Sequence, residues 1–305
     1  MKGMKIVISG GSGLVGRALT EKLANLGHEV VVLSRQPQGV SSLAAGVSVE
    51  GWDAVSVADL TPILEGVDAV VHLAGENIGA GRWTAKRKAA IRESRVRSTE
   101  SLAQAFLGCR NPPHTLIQGS AVGFYGPQGD DPLTETGEPG ADFLASVCRD
   151  WEAAGRGVEA AGVRRVIART GVVFAKHGGA LPRILLPFKL FAGGPIGSGD
   201  QVLSWIHLED EASALAFLLM DEDVRGVFNL AAPNAVTNRE LARTLGRILH
   251  RPSFLPTPGF VLRVALGEMA TLVLDGQRAV PRNLLARGYE FRFPEVDAAL
   301  ENLLA

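Results

Sequence analysis

Three glycines, Gly10, Gly13 and Gly16, stand three apart directly after the β-branched apolar run Lys5–Ser9, with Gly11, Ser12, Leu14 and Val15 between them. That spacing can hold a diphosphate. Gly10 permits a tight turn out of a strand. Gly13 lets the backbone approach a pyrophosphate without a Cβ in the way, and Gly16 lets the following helix pack close on the sheet. The helix start then offers unpaired N–H groups and the positive end of its dipole to the phosphates. In a chain with 36 glycines the spacing alone is a weak signal. Its position, between an N-terminal strand and an amphipathic helix, is what marks a nucleotide-binding turn.

A second group of residues sorts the nucleotide. An NAD-preferring site carries an acid about 20 residues past the first glycine, for the ribose 2′-hydroxyl. Here Ser34 and Arg35 stand at that place. A guanidinium suits a 2′-phosphate that a carboxylate would repel; the other reading is a solvated arginine at the start of a loop. The first predicts NADP(H), with Ser34 supporting Arg35. Asp53, after a third strand, is either a hydrogen-bond partner for an adenine edge or a turn aspartate. Ala74-Gly75, after a fourth, lets the backbone come close to a ligand beyond it.

The elements that must position these residues read clearly. Apolar runs at 5–9, 30–33, 47–52, 69–73, 114–118, 163–168 and 227–230 predict seven strands. Helical patterns separate them at 14–26, 60–64, 84–107, 144–161 and 208–219. A further helix over 237–249 opens on Thr237 with Glu240 three residues on, a capping box. Strand–helix alternation implies a doubly wound, mostly parallel α/β sheet of the Rossmann kind. Its ligand crevice lies past the carboxyl ends of the strands. Residues 1–170 and 205–231 would form this dinucleotide-binding domain, and 171–204 and 232–305 a smaller substrate-binding, C-terminal lobe.

Composition excludes several classes. At 305 residues and 46% hydrophobic, the chain can bury a large sheet. A formal net charge of −1 argues against nucleic acid and against an anionic membrane. The local basic cluster at 82–97 reads as a solvated helix face from which one member could reach a cofactor phosphate. Two cysteines, Cys109 and Cys148, make neither a disulfide framework nor a metal site, and no His/Cys/carboxylate cluster has ligand spacing. A strand within five residues of the start leaves no room for a signal peptide, and no apolar run approaches the ~20 residues of a spanning helix. The expectation is a cytoplasmic protein.

The chain resembles an extended short-chain dehydrogenase/reductase. The resemblance rests on residues 10–16, on Val71-His72-Leu73-Ala74, on Arg169-Thr170-Gly171-Val172-Val173 and on Trp205-Ile206-His207-Leu208-Glu209-Asp210. More narrowly, His72-Leu73-Ala74-Gly75-Glu76-Asn77-Ile78, Ser120-Ala121-Val122-Gly123-Phe124-Tyr125-Gly126 and Gly288-Tyr289-Glu290-Phe291 are similar to an atypical NAD(P)-dependent epimerase/dehydratase-like branch. That branch is called "epimerase family", or sometimes cell-division inhibitor, and ends in a small domain of unknown function. The resemblance implies a cofactor held by Gly10, Gly11, Ser12, Gly13, Leu14, Val15, Gly16, Ser34, Arg35, Leu73, Ala74, Gly75, Glu76 and Ser120. It places Ser120 opposite the nicotinamide, a small, sugar-nucleotide-like molecule in the smaller lobe, and by analogy a homodimer.

One departure bears on mechanism. The family's acid–base pair is Tyr-x-x-x-Lys, and the two tyrosines here, Tyr125 and Tyr289, are followed four residues later by Gly129 and Phe293. In the helix after Ser120 the corresponding places hold Phe143 and Val147, neither able to transfer a proton. Three readings follow. Tyr125 or Ser120 supplies the proton, with Glu76 and Asn77 across the crevice; or the chain binds NADP(H) as a regulator, in one version tied to cell division; or hydride passes to a substrate that needs little proton help. Arg169 reads as an ion-pair partner. His207 is expected to be buried between lobes and Asp210 to cap the next helix, against a substrate-lobe acid–base role.

Overall fold

The computed structural model describes residues 3–40 and 43–305. The strands are β1 (Lys5–Ser9), β2 (Glu29–Ser34), β3 (Val47–Gly51), β4 (Ala69–His72), β5 (Thr115–Ala121), β6 (Pro132–Leu133), β7 (Arg164–Thr170), β8 (Val172–Phe174), β9 (Val202–Leu203), β10 (Trp205–His207), β11 (Gly226–Leu230), β12 (Val236–Thr237) and β13 (Arg278–Ala279). The helices are α1 (Leu14–Asn25), α2 (Val57–Leu64), α3 (Ala85–Gly108), α4 (Phe143–Ala154), α5 (Leu181–Lys189), α6 (Leu208–Met220), α7 (Asn238–Leu249), α8 (Gly259–Leu266), α9 (Thr271–Leu274), α10 (Arg282–Ala286) and α11 (Val296–Leu304).

Seven strands form one parallel sheet in the order β11-β7-β5-β4-β1-β2-β3. The chain reverses its direction of travel between β1 and β4, which opens a crevice at their carboxyl ends. Both faces are apolar, as a fully covered parallel sheet requires. In β1, Ile6 and Ile8 pack into the layer with Leu19 of α1 and Leu215 of α6, and Val7 into the opposite layer with Leu60 of α2 and Leu102 of α3. The same alternation sends Leu116 of β5 to the α2–α3 face and Ile117 to the α1–α6 face.

A second apolar core lies apart from the two sheet layers; in it Phe174 stacks on Trp205 at 5.6 Å and packs with Leu185, Leu241 and Leu300. β8 pairs with β10, so a boundary drawn between 204 and 205 cuts through a two-stranded unit. The capping box of α7 forms as expected: Thr237 accepts from the Glu240 amide, and the Glu240 carboxylate accepts from that of Thr237. The helix expected over 144–161 instead breaks after Ala154 into a 3₁₀ turn. Among the described residues no helix is long and apolar enough to cross a membrane.

Candidate functional site

A cleft of about 1030 Å³ opens at the β1–β4 crevice. Its floor is the glycine turn. Gly10 has φ +76°, and a Cβ there would lie 2.8 Å from the Leu73 carbonyl carbon, so only glycine lets this turn lie against the end of β4. Gly16 carries the helix onto the turn: its Cβ would meet the Gly10 oxygen at 2.2 Å. Gly13 is the N-cap of α1, and no side chain caps the helix, so its first N–H groups remain available. This is the geometry a pyrophosphate needs.

The structure brings most of the expected residues together. Gly10, Ser12, Gly13, Ser34 and Arg35 line the cleft from one side, and Leu73, Ala74, Gly75 and Glu76 from the other. Gly11 packs on the Val32 side chain. Leu14 touches the loop at 178–179, and Val15 turns toward the core. Arg35 is exposed, and among the described residues its guanidinium makes no ion pair. Ser34 does not support it; the Ser34 hydroxyl accepts the Gln36 amide at 3.1 Å. Asp53 is a turn aspartate: its Oδ1 accepts the Val55 and Ser56 amides, which hold the carboxyl below its ordinary pKa, and it also lines the cleft. The Glu76 carboxylate is paired with Arg87 at 2.9 Å.

Of the third wall the sequence pointed only to the basic stretch 82–97, whose Arg97 reaches the cleft. Ala90, Glu93, Ser94, Arg97 and Ser98 of α3 line the cleft. Their spacing of three and four residues is one helix face, of alanine, serine and charged side chains where a core face would be apolar. Trp52, after β3, lines the far end. Behind the wall, His72 is sealed between Ser9, Ser98 and Thr99, and burial pushes its imidazole down to about 4.

The two hydroxyls expected to do acid–base chemistry are elsewhere. Ser120 lies on the α4-covered face of β5, and its hydroxyl donates to Glu152 Oε1 at 2.7 Å. Glu152 in turn takes Arg169 bidentately, at 2.8 and 2.9 Å. Tyr125 is fully buried; its hydroxyl donates to Asn229 Oδ1 at 2.7 Å and accepts from Arg169 at 3.1 Å, and burial raises its pKa. Arg169 lies 3.3 Å from the centre of the Phe124 ring. Ser120 and Tyr125 therefore belong to one buried network that ties β5, α4, β7 and β11 together. Neither Ser120, near the end of β5, nor Tyr125, in the turn after it, is among the residues that line the cleft.

At the places of the missing pair, Phe143 meets Trp83 edge-on at 5.2 Å under Lys88 Nζ, and Val147 is buried beside them. His207 is buried against Phe293, as expected, but it is His207 that caps α6, its Nδ1 accepting the Glu209 amide. Asp210, expected as the cap, instead accepts the amides of Arg292 and Phe293. Among the described residues no cluster of His, Cys, Asp or Glu could hold a metal.

Residues 6–231 match the model of the NAD dependent epimerase/dehydratase family, and 257–303 match a domain of unknown function, DUF1731. Epimerase family protein YfhF of Bacillus subtilis is 38% identical over 303 residues, covering 99% of this chain and 98% of its own. Epimerase family protein SDR39U1 of Bos taurus is 40% identical over 309 residues, covering 99% of this chain and all of its own. The crystal structure of human epimerase family protein SDR39U1 (isoform 2) with NADPH superposes with a TM-score of 0.86 at 36% identity, covering 98% of this chain and 99% of that one.

Proposed function

The chain belongs to the NAD dependent epimerase/dehydratase family, and from that premise we propose that it binds NADP(H) in the β1–β4 cleft and acts as an oxidoreductase or epimerase on a small, sugar-nucleotide-like molecule. The observation that carries the cofactor choice is Arg35, exposed at the end of β2 where an NAD site would carry an acid. NADPH in the crystal structure of the human relative supports it. When bound, the cofactor supplies a hydride. This chain's residues cradle the diphosphate at Gly10–Gly13 and α1, place Arg35 at the 2′-phosphate, and close the α3 side with Ser94, Arg97 and Ser98.

The locked hydroxyls of Ser120 and Tyr125 favour chemistry in which the protein gives no proton, so that hydride passes to an acceptor needing little proton help. They equally support a second reading, a dinucleotide-dependent regulator without turnover. NADPH oxidation across a panel of carbonyl and sugar-nucleotide compounds separates the two.

Titration calorimetry with NADPH and NADH tests the site. Arg35→Asp should weaken NADPH by about 100-fold and NADH by less than about 3-fold, because it swaps an attractive charge at the 2′-phosphate for a repulsive one. Equal losses would remove Arg35 from the 2′-phosphate.

A further inference from the structure

The helix that should carry the family's lysine has Val147 in that place, and Val147 is buried and apolar. A cation nonetheless stands beside it. Arg95 comes from α3, not α4, and its guanidinium lies against the turn at 74–76: a Cβ on Gly75 would be 2.9 Å from Arg95 Cζ. Arg95 Nη1 donates to the carbonyls of Glu76 and Ile91, each at 3.0 Å. Its other flank rests on Trp151, with Cζ 5.1 Å from the ring centre. Trp151 is one turn past Val147 on α4. Cys148, the next residue after Val147, is close enough for the Arg95 charge to oppose the effect of burial on its thiol.

Arg95 is half-buried, and among the described residues no carboxylate pairs with it. Glu76, an acid close enough for its charge to act on Arg95, gives its carboxylate to Arg87 at 2.9 Å. Both hydrogen bonds to carbonyls run through Nη1, so Nε and Nη2 have no protein acceptor among the described residues. Neither nitrogen is sealed from solvent, so both can be offered to a ligand. Gly75, on which it rests, lines the cleft.

We infer that Arg95 takes the place of the missing α4 lysine, its guanidinium holding the hydroxyls of the second ribose, on the nicotinamide side of the dinucleotide. This rests on the NADP(H) reading of the cleft. Arg95 lies between the turn after β4 and Trp151 of α4, and the adenosine-side cation, Arg35, is across the crevice, just past the end of β2. A planar fork can meet a vicinal diol through two N–H groups. It stays protonated, so it orients and shifts no proton.

Three ligands test the assignment by calorimetry: NADPH, 2′-phospho-ADP-ribose, which lacks only the nicotinamide, and 2′-phospho-ADP, which keeps the diphosphate but has no second ribose. Arg95→Met keeps the stem that rests on Trp151 and removes the fork. It should weaken the first two ligands by about 10- to 30-fold, the scale of a charged hydrogen-bond pair, and the third by less than about 2-fold. Arg95→Lys restores the charge and should recover part of the loss on the ribose-bearing ligands alone; it also serves if the methionine variant does not fold. Equal losses on all three ligands would mean that Arg95 only braces the turn at 74–76, and no loss on any would mean it meets nothing; either result overturns the inference. A wild-type chain that binds none of the three overturns the cofactor reading itself, and the inference with it.

Discussion

Burial sets two titrating side chains against each other. His72 is fully enclosed, and desolvation lowers its pKa from 6.5 to about 4. Glu211, on the first turn of α6, is enclosed as completely, and desolvation raises its carboxyl from 4.5 to about 8, opposed by the Thr170 hydroxyl that donates to it at 2.7 Å. The signs differ. For His72 the unfolded chain takes up a proton that the folded chain refuses, so stability is lost as pH falls from 6.5 toward 4. For Glu211 the folded chain keeps a proton that the unfolded chain gives up, so its contribution is full below 4.5 and is lost as pH rises toward 8. Between 4.5 and 6.5 the slopes oppose. From 6.5 to 8 that of Glu211 acts without its counterweight, at about 1.4 kcal/mol per pH unit. Glu211→Gln, which mimics the neutral acid, should flatten the melting temperature over pH 6.5–8, where the wild type declines by a few degrees. A wild type already flat there would show that Glu211 is ionised in the fold. Tyr125 makes a simpler case. Tyr125→Phe removes the proton given to Asn229 and the acceptor offered to Arg169, so stability should drop by about 1–3 kcal/mol in denaturant melts. NADPH affinity should stay within about 2-fold; a larger loss would return Tyr125 to the cleft.

At the scale of elements, the glycine turn separates two uses of the same residue. Gly16→Ala sets a Cβ 2.2 Å from the Gly10 carbonyl oxygen, backbone against backbone, so α1 must move off the turn. NADPH affinity should fall at least about 10-fold, with a lower melting temperature. Gly27, after α1, has φ +85°, and a Cβ there would meet nothing within 4 Å, so Gly27→Ala should cost only about 1 kcal/mol of strain and leave affinity unchanged. Comparable affinity losses would mean the turn is not the diphosphate cradle. The turn was legible because strand, glycines and helix are contiguous in sequence and each glycine answers a local constraint. So were the seven strands, whose apolar runs report burial on both faces. The roles of Ser120 and Tyr125 were not. Which face of β5 a hydroxyl meets depends on register, and its partner Glu152 lies 32 residues away on α4. The His207–Asp210 exchange failed for the same reason: the amides that claim Asp210 come from 82 and 83 residues further on. The α3 wall was legible in spacing, but its serines and charged residues resemble a solvated face until β4 is seen opposite them.

The whole molecule joins what its sequence families divide. Residues 257–303 match a separate domain model, yet Leu284, Tyr289 and Phe291 are built into the sheet layer, while Phe293 to Leu303 pack into the second core with Phe174 and Trp205. Leu284 is fully buried in the α1–α6 layer, and Tyr289 packs on Phe217 there at 5.4 Å and donates to the Asp210 carbonyl. Asn283 donates to the Val227 carbonyl of β11, and Asn229 to the carbonyls of Leu133 and Val280. The Asp210 carboxylate closes the seam by accepting two amides, at 2.8 and 2.9 Å, one of them wholly buried. A tail held this way has no independent fold to retreat to, so it should unfold with the sheet. Asp210→Ala leaves both amides without a partner and should lower global stability by about 2–4 kcal/mol while the transition stays single. Hydrogen exchange gives the sharper measurement. Amides in α11 and around Tyr289 should exchange with the same opening free energy as those of β1, and saturating NADPH should raise both together, since a ligand of the native state stabilises every part that unfolds with its site. Faster exchange confined to 282–304, unmoved by NADPH, would mean the tail opens by itself and that the carboxylate seam is too weak to couple it to the cofactor cleft.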